Sequence, residues 1–371
     1  GFSSGCALYL DVCLLTHDAN GNGNLGGDGV PKKVIGIDIG FSGIKVAEIT
    51  RKGRANVVTK LGWRALPPGT VVDGKVTNLS DLTKGLQSLL KEQNISPGSA
   101  VLGVKSSWVT VKTHRFPSMT KRELEKALEF EVPELVSFPV KGLDEVYFDY
   151  FINYKDDQEL EVVLVACPRQ HVLPFIHAAR AAGLSLEAVD MPAFGWEDLL
   201  EGGGRRVFVE ISEEQTIIQV ALGGVFRVLR TVPLGAINFR QGVEEAFQCT
   251  PEEARALITK EDLDFLLLEG SGNKRVLRAT VQQFVGSVLQ TLDFVRAQER
   301  ATSFRSMLDT MVLLGDVADL RGLGDMLEKE VDLPVRLLKD MENLRLSFEV
   351  LRPDRFSCYG SALALGLRGL R

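Results

Sequence analysis

Hydrophobic positions along the chain fall into two rhythms. Short β-rich runs alternate with longer stretches in which apolar residues recur every three to four positions, which predicts an α/β protein. Residues 34–48 read VIGIDIGFSGIKVAE: two β-rich runs flank the turn Gly40-Phe41-Ser42-Gly43. A third run follows at 55–66, after a turn at 51–54. The second half repeats this plan with strands at 207–211, 216–222 and 225–232. They are separated by the turn Ser212-Glu213-Glu214-Gln215 and the two-residue hairpin Gly223-Gly224. Each first strand carries an acid, Asp38 or Glu210, that leads into its turn. Two such meanders, each followed by helices, predict a duplicated domain with a ligand held between the halves.

The helical stretches carry their own boundary signals. A helix is expected over 80–93, capped by Ser80, with Leu82, Leu86, Leu89 and Leu90 on one face. A strand at 100–105 precedes an insertion. There Thr120 and Glu123 have capping-box spacing, and Met119 and Leu124 have hydrophobic-staple spacing. That helix is expected to stop at Pro133. Strands near 146–152 and 161–166 and a helix over 170–182, ended by Gly183, complete the insertion. In the second half, Thr250-Pro251-Glu252-Glu253 starts a helix. A long helix over 276–301 places Phe284, Val288, Leu292 and Val295 on one face. A strand at 311–315, a helix over 320–331, a strand at 335–338 and an apolar helix over 360–370 close the chain.

Composition narrows the class. The chain has 371 residues, 45% hydrophobic and 25% charged, with a net charge of −6. That balance fits a folded globular protein and argues against non-specific nucleic-acid binding. No run reaches the length of a membrane span. Cys6, Cys13, Cys167, Cys249 and Cys358 are scattered and odd in number, which suits a reducing compartment better than a disulfide framework. His171 and His177 lie six positions apart on a helix and therefore on different faces, so no metal site is read there. The first 29 residues stand apart. A short apolar run is followed by DANGNGNLGGDG, which aligns Asp18, Asn20, Asn22 and Gly23 with a calcium loop but puts Gly29 where the bidentate Glu belongs. They are read as a flexible leader, with translation expected to begin at Val30.

Candidate chemistry concentrates at the first hairpin. Glycines at Gly40 and Gly43 would allow positive φ and close approach of a ligand. Backbone N–H groups freed at the turn would form an anion nest. Asp38 would hold a hydrated Mg²⁺, and Lys45 would neutralise a phosphate.

Further pieces give the pattern a family likeness. They are GIDIG at 36–40 with Lys45, LPPGTVVDGKV at 66–76, FPSMT at 116–120, ALEFE at 127–131, VSFP at 136–139, LVACPRQHV at 164–172 and AGLSLEAVD at 182–190. In this order and spacing they resemble the PilM family of type IV pilus assembly proteins, FtsA-related members of the actin-like superfamily, over residues 32–370. The resemblance implies a duplicated actin-like (ribonuclease H-like) two-domain fold with an inserted 1C-type α/β subdomain. Subdomain 1A is expected at 32–105 and 190–202, 1C at 106–189, 2A at 203–238 and 310–371, and 2B at 239–309. It also implies a cytoplasmic scaffold, peripheral to the inner membrane, that binds the N-terminal peptide of a PilN-like partner in a groove between 1A and 1C. Pilus motor ATPases and the platform protein are implied as further partners. Residues 116–139 are the expected groove segment, with Phe116, Pro117, Glu131, Phe138 and Pro139 as contacts; the alternative is that this segment is simply the packed core of the insert.

The family's nucleotide, ATP with Mg, is held by three elements. The first, Asp38 with Gly40, Phe41, Ser42, Gly43 and Lys45, is in good order here. The second, normally Asp-x-Gly, reads Glu210-Ile211-Ser212, and its return run at 230–235 ends in Gly235 followed by Ala236. The third keeps Gly315 but places Asp316 where a small residue is usual. A degraded site with weak or absent ATPase activity is therefore expected. The alternatives are the cytoplasmic domain of a GspL-like secretion protein, a small-molecule kinase, which the Glu210–Ser212 turn argues against, and an FtsA-like membrane tether. The apolar ending SALALGLRGLR suits a packed helix better than a tether.

Overall fold

In this computed structural model the described residues are 32–105 and 108–370. The leader, its partial calcium loop and the expected start at Val30 lie outside them. The chain divides into two compact units. Of the described residues, the first comprises those up to 199 with 345–351 and 361–370; the second comprises 200–344 and 352–360.

The first unit opens with β1 (Lys33–Ile39), β2 (Gly43–Lys52) and β3 (Ala55–Ala65), followed by the small hairpin β4 (Val71–Val72) and β5 (Lys75–Val76). Then come α1 (Leu79–Glu92), β6 (Ser99–Gly103), β7 (Thr110–Pro117), α2 (Lys121–Leu135), β8 (Val146–Lys155), β9 (Glu159–Pro168), α3 (Arg169–Ala181) and β10 (Ser185–Asp190). The second unit holds β11 (Arg205–Ile211), β12 (Thr216–Leu222), β13 (Val225–Val232), α4 (Ala236–Phe247), α5 (Pro251–Lys260) and α6 (Leu263–Leu268). It continues with α7 (Arg275–Gln298), α8 (Phe304–Met307), β14 (Thr310–Gly315), α9 (Leu323–Val331) and β15 (Val335–Leu337). Two last elements are β16 (Leu346–Phe348) and α10 (Gly360–Arg368).

The duplication is visible in the sheets. One runs β3-β2-β1-β6-β10 and the other β13-β12-β11-β14-β15. In each, an antiparallel meander is extended by two strands parallel to its first. A central strand of such a sheet is covered on both faces and so reads as a nearly unbroken apolar run. That is why KVIGIDI and RRVFVEI are buried along almost their whole length. In the second unit, Phe284, Val288, Leu292 and Val295 of α7 join the core formed with β11 and α4, as their spacing predicts.

Several boundaries differ from the sequence reading. α1 starts one residue earlier and is capped by Asn78, whose Oδ1 accepts from the Asp81 N–H at 3.1 Å, not by Ser80. Asn and Ser cap comparably, so propensity alone does not choose between them. α2 passes through Pro133 and ends at Leu135. A proline in the final turn removes only one intrahelical bond, and Leu135 gains burial in the insert core. β7 went unread; its alternation is broken by Lys112, Thr113 and Arg115.

The insert itself is smaller than 106–189. β7, β9 and β8 form a three-stranded sheet with α2 packed on it. β10 pairs with β6, and Phe175, Ile176, Ala178 and Ala179 of α3 belong to the main core of the first unit. The end of the chain also differs from the 310–371 expectation. β16 pairs with β3, and α10 lies against β1, where the Gly36 Cα approaches the Ala362 carbonyl. α10 is buried throughout, as a packed final helix should be. Among the described residues no helix is long and apolar enough to cross a membrane.

Candidate functional site: two phosphate-type turns

Each unit carries a turn at the end of its first strand. In the first unit, β1 and β2 are in register from Lys33 with Thr50 to Ile39 with Ile44, which sets Asp38 opposite Lys45. Directly opposed residues on antiparallel strands send their side chains to the same face. The turn is closed by the Gly40 N–H donating to the Gly43 carbonyl at 2.9 Å, and the Ser42 carbonyl accepts from Leu66 N–H at 3.0 Å. Phe41 and Ser42 form its half-buried tip. Neither Gly40 nor Gly43 has a positive φ, which corrects the reason given for them. Gly43 is required by proximity: a Cβ there would lie 2.5 Å from the Arg64 carbonyl oxygen and 2.9 Å from Trp63 Nε1. A Cβ on Gly40 would meet only ordinary contact, 3.8 Å from the Gly43 carbonyl oxygen, so nothing there excludes a side chain.

Asp38 is 4% exposed, and the sequence reading missed its partner. Lys105, just beyond the end of β6, places Nζ 2.9 Å from Asp38 Oδ2, with side chains 6% and 5% exposed. Parallel pairing of β1 with β6, Asp38 beside Gly103, brings them together. Asp38 Oδ1 is buried and has no hydrogen-bond partner among the described residues. A hydrated Mg²⁺ needs a carboxylate free to accept from its water shell. This carboxylate already carries an ammonium on one oxygen, with a second lysine across the strand, so the donor set does not fit the cation.

In the second unit, Glu210 is 2% exposed near the end of β11. Ser212 turns inward: its N–H and its hydroxyl both donate to the Gln215 carbonyl at 2.9 Å. The hydroxyl that might have compensated for the missing glycine is engaged within the turn. The start of α4 is engaged too. Ala236 N–H donates to the Ser212 carbonyl and Ile237 N–H to the Glu213 carbonyl, both at 2.9 Å. Helix N-terminal N–H groups are natural anion donors, and here the turn itself takes two of them. Gly235 permits this closure, since a Cβ there would lie 2.5 Å from Gln215 N and Glu213 O. Gly315, at φ +100, is held against Ile211, whose carbonyl accepts from Asp316 N–H at 2.6 Å. Arg355 donates to the Asp316 carbonyl. Glu210, Ser212, Gly235 and Gly315 are thus brought together at one end of β11 and β14.

The five expected peptide contacts do not converge. Phe116 and Phe138 are buried in the insert core around α2 and offer no ring face to a peptide. Pro117 and Pro139 are exposed. They lie toward opposite ends of the insert: Thr110 Oγ1 and Ser137 Oγ are 2.7 Å apart, whereas Pro117 ends β7, roughly 23 Å away at ~3.3 Å per residue. Glu131 is half-buried, with Oε2 2.9 Å from His114 Nε2. The exposed ring on α2 is that of Phe130, 86% exposed, which the sequence reading passed over. His171 and Cys167 are core residues of the first unit. His171 packs edge-on to Trp108, and burial pushes the Cys167 thiol up to about 12.

The type IV pilus assembly protein PilM family model matches residues 36–370. The chain belongs to that family. Among solved structures, a PilM-PilN type IV pilus biogenesis complex is similar at 20% identity and TM-score 0.77, covering 92% of this chain and 100% of that one. The ethanolamine utilization protein EutJ from Carboxydothermus hydrogenoformans matches at 15% identity and TM-score 0.53, over 91% and 90%. MreB5 of Spiroplasma citri, solved bound to ADP, matches at 10% identity and TM-score 0.51, over 90% and 96%. The fold is accordingly the α/β actin-like two-domain fold expected from the sequence. Nucleotide is bound within this fold group, as the ADP complex of MreB5 illustrates.

Proposed function

We propose that this chain is a cytoplasmic scaffold of a type IV pilus inner-membrane complex, held at the membrane by its partners. Its ligand is the short N-terminal cytoplasmic peptide of a PilN-like protein. The family match over residues 36–370 carries this reading, and the PilM-PilN complex supplies the class of partner. Pilus motor ATPases and the platform protein are then reached through that link. The insert suits an extended peptide. β7 and β8 are the edge strands of their sheet, and an exposed edge accepts a further strand through main-chain hydrogen bonds. Beside it, α2 exposes Lys121, Arg122 and Lys126 toward its start, where Lys121 pairs with Glu125 at 3.7 Å, and Glu129, Glu134 and the Phe130 ring toward its end; that acidic, aromatic end suits a basic, leucine-rich segment. Fluorescence anisotropy with the labelled PilN-type peptide is expected to give micromolar binding, weakened at least about fivefold by Glu131→Lys or Phe130→Ala, or ~1 kcal/mol. A wild-type chain that leaves the peptide unbound at about 100 µM overturns the reading.

In this scaffold the nucleotide turns serve mainly to hold shape. The inward Ser212 hydroxyl and the engaged α4 N-terminus remove donors that a phosphate would need, and a water-activating carboxylate requires tight placement. Purified protein is expected to release little or no phosphate from ATP and to bind ATP weakly or not at all. Robust turnover above a Glu210→Ala control contradicts this.

A further inference from the structure

We infer that Lys105 is a built-in replacement for the divalent cation at Asp38, so that any phosphate received at the Gly40–Gly43 turn is received without metal. The inference deepens the nucleotide reading above, but its central test needs no nucleotide.

Three observations carry it. Lys105 Nζ sits 2.9 Å from Asp38 Oδ2, and both side chains are almost fully buried. Burying one charge alone is strongly unfavourable, so each group holds the other in place. Lys45 leaves the sheet on the same face as Asp38, from the directly opposed position. The turn therefore gathers two ammonium-bearing side chains and one carboxylate. A divalent cation added at Asp38 would meet the Lys105 ammonium already seated on Oδ2, in a buried pair where screening is weak. A phosphate, in contrast, is neutralised directly by a lysine, a compact point charge. Third, a Cβ placed on Gly40 would meet the Gly43 carbonyl oxygen at an ordinary contact distance of 3.8 Å. The backbone at Gly40 is partly exposed, whereas the Asp38 carboxylate is buried. Asp38 Oδ1, buried and without a hydrogen-bond partner among the described residues, marks where a cation could be taken if Lys105 were absent.

The test uses the full chain, stripped with EDTA and followed by thermal unfolding. The wild type is expected to shift by less than about 1 °C on adding about 10 mM MgCl₂ or MnCl₂. Lys105→Ala is expected to unfold several degrees lower and to regain part of that loss with Mn²⁺ or Mg²⁺, the freed carboxylate now binding metal. Lys105→Met combined with Asp38→Asn removes both charges at similar volume. It is expected to fold and to ignore the cations, which keeps the question decidable should Lys105→Ala not fold. A wild type stabilised by Mg²⁺ alone overturns the inference, and so does a folded Lys105→Ala that gains no cation response. A second arm adds ATP with and without Mg²⁺. Binding that is unchanged within about twofold supports metal-free reception, and a tenfold gain from Mg²⁺ overturns it. Should ATP fail to bind under either condition, the turn serves only to hold shape, as expected above, and the cation arm alone decides the role of Lys105.

Discussion

Arg368→Ala is expected to destabilise the first unit by about 3–5 kcal/mol. Arg368 sits in an otherwise apolar helix, 4% exposed, and its guanidinium pairs with Asp190 at the end of β10. Nη1 also donates to the Phe194 carbonyl at 2.9 Å and lies 3.7 Å from Asp198 Oδ2. Asp190 Oδ1 accepts from its neighbour's N–H, Met191, at 2.7 Å. Truncation leaves a fully buried carboxylate with half its partners gone, and the penalty is mostly that of the stranded charge. A double-mutant cycle checks this. Arg368→Met with Asp190→Leu should be markedly less destabilised than Arg368→Ala, because no charge is left unpaired. Equal losses in the single and double variants, read from urea midpoints, would show that packing rather than charge dominates there.

That pair also shows what the sequence does and does not reveal. An arginine in SALALGLRGLR is visible at once, but its partner lies 178 positions earlier, and no local rule joins them. The same limit hid Lys105. It follows a strand with no motif around it, and only the parallel register of β1 and β6 brings it to Asp38. What was legible is what local physics fixes. The two meanders, the capping boxes at Thr120 and Thr250 and the apolar face of α7 all appear where their periodicity and caps put them. The boundaries of the insert were less legible. α3 and β10 follow the insert directly in sequence, and their periodicity says nothing about which sheet they join. Phe116 and Phe138 were read as contacts because they lie in the segment assigned to the groove that the family resemblance implies, yet they form the core that holds α2 on its sheet. Phe130 sits among the buried positions of the same helix in sequence but on its opposite face, a distinction that the 3.6-residue period does make.

The motif GIDIG contains two glycines with opposite fates, and this gives the second large effect. Gly36→Ala is expected to lower stability on the order of 3 kcal/mol or more. A Cβ at Gly36 would lie 1.9 Å from the Ala362 carbonyl oxygen and 2.4 Å from the Gly366 N, so α10 would have to leave its seat on β1. Backbone cannot swing aside as a side-chain tip can, and interiors this dense pass such strain to their neighbours. A Cβ on Gly366 would lie 3.0 Å from Ile49, and one on Gly369 2.6 Å from Val34 and 2.7 Å from Val101, so the whole interface is built on close approach. Gly40→Ala, in contrast, should change stability by no more than about 0.5 kcal/mol, since its Cβ would clash with nothing and its φ is not positive. Any effect of Gly40→Ala should appear instead in anion binding at the turn. Thermal unfolding of the two variants side by side checks the contrast. A mild Gly36→Ala would mean that α10 can shift on β1 at little cost. A severe Gly40→Ala would mean that the turn is built for folding rather than for a ligand. The expected split assigns the first glycine of the motif to the packing of the final helix and the second to the phosphate turn, so a shared motif need not imply a shared role.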